Sequence, residues 1–412
     1  MASILASELA QEILDACLRD GTWPARALDD LVQRALDEDD LFRATAATRA
    51  LFGIVIERLG DLFEPALCDV YARLFSHVIA RALPEHNAAD LFNRYQKIRQ
   101  VRHFPGGEVN RVFVLSRVTL GADVAVSSVA LSAAKQRFPD AEICFIAPAK
   151  NSEMFGADAR VVPLSVMYGR TSLLRDRLLA AAELQVATDE LGSIVIDPDS
   201  RLTQLGLIPI CDDSRYFFFE SRAFGGQFDG SLTALTAQWL REVFDMDEVP
   251  PYAAPPRQER IADITVSWGV GDNSNKRLDD DFEFQVTSAL LELNRPILMD
   301  RGAGGEEAER VDALYARLGS PSLLRLHNGS YASFASHILQ SDLYLGYDSA
   351  GQHVAAAGKV PLITIFAGHV CPRMLSRWRP GGSSSHIVLI DDENRATALD
   401  RTRRAIAAAG AA

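Results

Sequence analysis

The chain has 412 residues, enough to bury two or three cores of ordinary size, so packing alone can hold it folded. Hydrophobic residues make up 48% and charged residues 24%, which excludes a disordered or fibrous chain. A formal net charge of −13 argues against a nucleic-acid-binding protein, because neutralising phosphates takes a basic face.

The first 105 residues read as helix throughout. Ile4, Leu5, Leu9, Ile13 and Leu14 share one face, and similar spacing runs through Leu51 to Leu59 and Leu62 to Ala82. Breaks at Gly21-Thr22-Trp23-Pro24, at the acidic run Asp37 to Asp40 and at Pro84 divide this region into about five helices, with no repeat period. Glu8 and Glu12 interrupt the N-terminal apolar residues and no apolar run reaches 18, so neither export nor membrane spanning is expected. The five cysteines, at 17, 68, 144, 211 and 371, form no CxxC pair, which points to a reducing, cytoplasmic setting.

After Phe104-Pro105-Gly106-Gly107 the texture changes to alternating strands and helices. Strands are predicted at 111–116, 142–147, 159–163, 193–197 and 215–219, with helices at 124–138 and 172–187, as in a parallel α/β sheet. The segment 250–257, PPYAAPPR, has four prolines in eight residues and reads as a linker. Beyond it a second series predicts strands at 263–268, 296–299, 323–325, 343–346 and 362–366, with helices near 280–294, 305–318, 331–340 and 350–357. The fold class is therefore α/β: an all-helical region at 1–105, then two Rossmann-like domains at 106–255 and 256–412 with a cleft between them. Ligands of such sheets bind at the carboxyl ends of strands.

Several loops at those ends carry chemistry. Asp123 closes the loop after the first strand and opens a helix, so it reads either as a helix cap or as a general base facing the cleft. Gly346-Tyr347-Asp348-Ser349-Ala350-Gly351-Gln352-His353 follows a strand and opens an alanine-rich helix, whose free N–H groups and dipole suit a diphosphate. His353 falls one turn after Ser349, and reads either as a ligand contact or as a structural histidine. Trp268 to Arg277 contains Gly269 and Gly271 without the third glycine of a dinucleotide fingerprint, and ends in Lys276 and Arg277, candidate phosphate partners or plain surface cations. Asp279-Asp280-Asp281 looks like a metal-binding D-x-D but directly precedes a helix, where acidic residues cap. Gly302-Ala303-Gly304-Gly305 is a flexible loop that either approaches a nucleotide or merely turns. His369, Cys371 and His386 fit no standard zinc spacing, and neither a G-x-S-x-G elbow nor a P-loop is present.

Two stretches together resemble glycosyltransferase family 9, the ADP-heptose:lipopolysaccharide heptosyltransferase group. The first is LSRVTLGADVAVSSVALSAAKQRFPDAEICFI; the second is SDLYLGYDSAGQHVAAAGKVPLITIFAG. The resemblance covers roughly residues 110–400. It implies a fold of the GT-B type and inverting sugar transfer from a nucleotide-diphosphate sugar, ADP-heptose being favoured, with no metal or other cofactor. On that resemblance Asp123 matches the general base. Lys276, Asp348, Ser349, Ala350, Gly351 and His353 match the donor-binding set, with Gly269 placed beside them. The acceptor would be a bacterial glycan, a lipid-linked glycan or a protein, and the enzyme would work in the cytoplasm, including at the inner face of the membrane. Two positions depart from the family pattern, Ala122 and Ala350, each standing where a glycine is usual. The helical region is also outside that pattern; recognising a protein acceptor, forming a homo-oligomer and covering the first Rossmann-like unit are all open roles for it. Two other classes stand beside the transferase: a non-catalytic nucleotide-sugar-binding protein, and an epimerase or hydrolase of a nucleotide sugar.

Overall fold

The computed structural model of the protein describes residues 5–169, 172–271, 273–302, 304–381, 385–391 and 394–410. Ile4, Asp272 and Ala303 of the motifs above lie outside the described residues. The N-terminal region consists of helices Ala6–Asp20 and Ala25–Ala35, a continuous helical run over 41–61, and helices Pro65–Ala82 and Ala88–Ile98. The acidic break works by capping, since the Asp40 carboxylate accepts from Arg43 N at 3.0 Å. Within the 41–61 run, Leu51–Ile56 is wound as π-helix. Leu62 does not continue into the next helix as its spacing predicts. Phe63 sits at φ 54° and Pro65 occupies the first turn of Pro65–Ala82, so the chain reverses at 62–64.

Two wholly parallel sheets follow. The first comprises β1 (Arg111–Leu115), β2 (Glu142–Ala147), β3 (Val161–Ser165), β4 (Ser193–Asp197) and β5 (Tyr216–Phe218), in the order β3-β2-β1-β4-β5. The second comprises β6 (Ile264–Ser267), β7 (Ile297–Asp300), β8 (Leu324–His327), β9 (Leu343–Tyr347), β10 (Leu362–Phe366) and β11 (Ser385–Leu389), in the order β11-β10-β9-β6-β7-β8. Both orders reverse beside their first strand, at β1/β4 and at β6/β9. All ten predicted strands are present, β3 two residues later than expected, and β11 is an addition. The 124–138 helix begins earlier, at 120, and the stretch Asp123–Ser127 within it is π-helical.

The first sheet is buried on both faces, as parallel sheets require. Val112, Val114, Ile143, Phe145, Ile194 and Ile196 pack against the helix ending at Arg137 and against Leu232–Phe244. Phe113, Leu115, Cys144, Ile146, Val195 and Phe218 point the other way. On that second face the sheet's own crossovers supply one long helix, Leu174–Thr188. The remainder is covered by the N-terminal helices: Leu31, Phe52, Val55, Tyr71, Phe75, Val78 and Ile98 lie in the same core cluster as those strand residues. The helices therefore share a core with the sheet. The proline-rich segment is irregular and tied to both halves, through Ala254 N to Met154 O at 2.9 Å and Gln258 N to Ser336 Oγ at 2.9 Å. Among the described residues no helix is long and apolar enough to cross a membrane.

Because helices and sheet form one core, Phe75→Ala is expected to cost about 3–5 kcal/mol, the usual range for emptying a buried aromatic site. Chemical denaturation followed by tryptophan fluorescence and by circular dichroism should show both signals shifting together. Loss of the helical signal ahead of the fluorescence change would show the helices to be an independent unit.

Candidate active site

The two sheet reversals face each other. The loop after β1 presses on the helix Ala350–Ala357 that follows β9: a Cβ at Gly121 would lie 3.1 Å from Ala350 Cα and 3.2 Å from His353 Cδ2. The crevice at a sheet reversal is where open α/β sheets bind ligands, and here two such crevices meet.

On the first side, Asp123 is fully buried. Its carboxylate accepts from Ser116 Oγ (2.7 Å), Arg117 N (2.7 Å), Ser127 Oγ (2.7 Å) and Asn151 Nδ2 (2.5 Å). Burial pushes its pKa above the ordinary aspartate value, against the pull of those four donors. The arrangement clamps the β1 loop onto the start of its own helix. Beside it Arg117, also buried, donates to Pro198 O at 3.1 Å and to Ser221 Oγ, and burial lowers its pKa to about 10. Asp199 accepts from Ser221 Oγ at 2.6 Å and from Arg222, so the ends of β1, β4 and β5 are joined by one buried polar network.

On the second side, Lys276 Nζ donates to the Asp348 carboxylate at 2.7 Å and to the Asp348 carbonyl at 3.2 Å. Asp348 is itself buried and also accepts from Gln352 Nε2, whose Oε1 accepts from Thr364 Oγ1 at 2.7 Å. Ser349 stands at the N-cap of Ala350–Ala357, but its side chain makes no capping bond. Gly351 has the Tyr344 ring directly beneath it, where any Cβ would collide. Gly269 likewise leaves room for the Glu307 side chain, which folds over it. The structure thus brings Lys276, Asp348, Ser349, Ala350, Gly351 and His353 together and sets Gly269 at the neighbouring β6 loop. Arg277 turns away, bonding Glu283 at 2.6 and 3.0 Å. Asp279 caps its helix at Phe282 N (2.8 Å), while Asp280 and Asp281 pair with Arg277 and Arg317. Among the described residues no three His, Cys, Asp or Glu side chains gather as a metal-holding group.

A third region completes the cleft. The reversal at 62–64 docks on Pro372–Trp378 of the second half: Arg373 donates to Phe63 O at 2.8 Å, and Phe63 meets Trp378 edge-on at 6.4 Å. Trp378 also touches His353 (5.8 Å) and lies 5.9 Å from the Arg117 guanidinium. Arg377 crosses the halves to Phe228 O (2.9 Å) and Gly230 O (2.8 Å). No motif announces Asn151, Asp199, Arg222 or Trp378, because each acquires its role from a partner far away in the chain.

His353 is buried under the β1 loop, and burial holds its pKa down at about 4, with Asp348 opposing and Lys276 reinforcing. It is therefore neutral in the folded protein. A histidine whose pKa falls on folding contributes stability above the unfolded value near 6.5 and loses it as pH drops toward the folded value. Between pH 6 and 4.5 the wild type should lose about 1.4 kcal/mol per pH unit more than His353→Gln, measured by urea unfolding at each pH. Parallel pH profiles for the two proteins would contradict a buried neutral imidazole.

The sequence matches no protein-family model and no curated protein. Solved structures do match. A glycosyltransferase family 9 protein from Veillonella parvula shares 14% identity over 74% of this chain and 98% of its own, with a TM-score of 0.56. The E. coli heptosyltransferase WaaC, solved with ADP-2-deoxy-2-fluoro heptose, shares 14% over 71% and 98%, with a TM-score of 0.53. E. coli ADP-heptose lps heptosyltransferase II gives 14%, 73%, 98% and 0.52. Nearly the whole of each neighbour is matched, leaving about a quarter of this chain without a counterpart there. Two Rossmann-like units built on parallel sheets of five and six strands, preceded by helices, give this chain the GT-B fold seen in family 9 glycosyltransferases.

Proposed function

We propose that this protein is an inverting, metal-independent glycosyltransferase that moves a sugar from a nucleotide-diphosphate donor to an acceptor hydroxyl. The observation that carries the reading is the position of Lys276 beside the start of Ala350–Ala357, at the reversal of the second sheet. An ammonium has three donor hydrogens; two are committed to Asp348, and the third is available to a phosphate oxygen. The first N–H groups of the helix and the Ser349 hydroxyl at its N-cap add further donors, and the helix dipole favours negative charge there. A leaving diphosphate stabilised by fixed cations and N–H groups needs no divalent ion. ADP-heptose is the favoured donor, because WaaC, a neighbour of the same fold, was solved with a fluoro analogue of it. A bacterial glycan, lipid-linked glycan or protein serves as acceptor, and transfer takes place in the cytoplasm.

Calorimetric titration with ADP, GDP, UDP and dTDP in EDTA is the direct test. One nucleotide should bind at micromolar concentration. Lys276→Ala should weaken it at least tenfold, or about 1.4 kcal/mol. Absence of binding by all four would overturn the reading.

A further inference from the structure

Where the N-terminal helices meet the loop after β5, the packing leaves a cavity of about 360 Å³. Pro65, Arg99 and Gln100 line it from the helical region, and Glu220, Phe224 and Trp239 line it from the first Rossmann-like unit. Neither region encloses it alone. Its volume lies within the range of about 300–1,000 Å³ that small-molecule sites occupy.

The lining is of two kinds. Phe224 and Trp239 both pack on Phe219, each with ring centroids 5.4 Å apart, so one part is aromatic. The other part is polar and planar: the Arg99 guanidinium, the Glu220 carboxylate and the amide of the exposed Gln100. Arg99 Nε donates to Glu220 at 2.9 Å, and Arg99 also pairs with Asp69, so the cation already has two carboxylates. An anionic ligand would have to displace one of them, and a wholly apolar ligand would cover these polar groups without bonding them. A sugar ring suits both parts. Its C–H face packs on aromatic rings, and its hydroxyls both donate and accept, which matches a carboxylate, an amide and a guanidinium side by side.

The cavity also adjoins the segments that join the two halves. Pro65 directly follows the 62–64 reversal, whose Phe63 meets Trp378, and Trp378 in turn meets His353 at 5.8 Å. Gly226, a further lining residue, has its carbonyl bonded by Arg377 Nη2 at 3.2 Å. Two sides of the cavity are thus continuous with the two contacts made by Pro372–Trp378.

We propose that this cavity holds a neutral sugar unit of the acceptor, set back from the hydroxyl that receives the transferred sugar. The inference rests on the transferase reading above and gives the N-terminal helices a part in acceptor binding.

Saturation-transfer NMR on the full-length protein tests it, with the methyl glycosides of glucose, galactose, mannose, rhamnose and N-acetylglucosamine as probes and glucuronic acid as the charged control. At least one neutral glycoside should give a signal at millimolar concentration, stronger than that of glucuronic acid. Ala223→Phe, which places a ring in the cavity from its lining, should abolish the signal. Gln100→Ala should weaken glycoside affinity at least threefold. Both variants should keep the wild-type melting temperature and nucleotide affinity. No signal from any neutral glycoside, a signal that survives Ala223→Phe, unchanged affinity in Gln100→Ala, or a preference for glucuronic acid overturns the sugar site and leaves the transferase reading standing. A wild type that binds a glycoside but none of ADP, GDP, UDP and dTDP overturns the transferase reading, and the acceptor role of the cavity with it.

Discussion

The need to cover both faces of the first parallel sheet governs the rest of the architecture. A central parallel strand leaves apolar side chains on both sides, and Phe113 and Leu115 alternate with Val112 and Val114 in this way. Ordinarily the crossovers themselves supply helices to both faces. Here the connection from β4 to β5 contains only single 3-10 turns, at Arg201–Thr203 and Asp213–Arg215, so one face is left with Leu174–Thr188 alone. The N-terminal helices take up that face, and their apolar stripes become part of its core. Seating them there brings the end of the 41–61 run to the carboxyl ends of the strands, the edge where the two halves meet.

That edge is electrostatically crowded. Asp197 is buried and pushed to about 6, though Thr203, Ser200 and Tyr216 donate to it. Glu220 is raised to about 7 by burial, with Arg99 and Tyr95 as partners. Arg99 and Tyr95 come from Ala88–Ile98 or the residue after it, so the helices are tied to the sheet by charge as well as by packing. Buried charges hold only when each has a partner, because an isolated one would shift its protonation or unfold its surroundings.

The strands were legible because each is a short β-branched or aromatic run bounded by turn residues, a pattern that survives without tertiary information. β11 was not predicted although Ile387, Val388, Leu389 and Ile390 form a continuous apolar run; in the fold it is an edge strand with exposed His386 and Ile387. At the break at 62–64, Leu59, Leu62 and Phe63 maintain helical spacing, and the left-handed backbone at Phe63 together with Pro65 in the first turn of the next helix interrupts it. Asp348 and Ser349 lie at a strand end followed by a helix, as the sequence reads, whereas the orientation of other side chains is set by partners outside the local motif. Asp123 turns inward because Asn151, on the neighbouring β2 loop, reaches its carboxylate, and nothing in the local motif encodes that contact. Arg277 turns to Glu283 for a similar reason, one helical turn into the next element.

The two sides of the cleft are built on different plans, and this bears on how the proposed chemistry could diversify. Lys276, Asp348, Gln352 and Thr364 all belong to the second sheet and its loops, so the proposed donor side is built within one Rossmann-like unit. The opposing side is assembled from the β1, β4 and β5 loops and from the reversal at 62–64, which are joined only by folding. A substitution in the N-terminal helices can therefore reshape that opposing side while leaving the Lys276–Asp348 pair untouched. Trp378 marks the seam, touching Phe63 of the helices, lying close to Arg117 of the first sheet and meeting His353 of the second. On the proposed reading, nucleotide binding stays with the second Rossmann-like unit, while the helices outside the pattern of family 9 shape the edge that faces it.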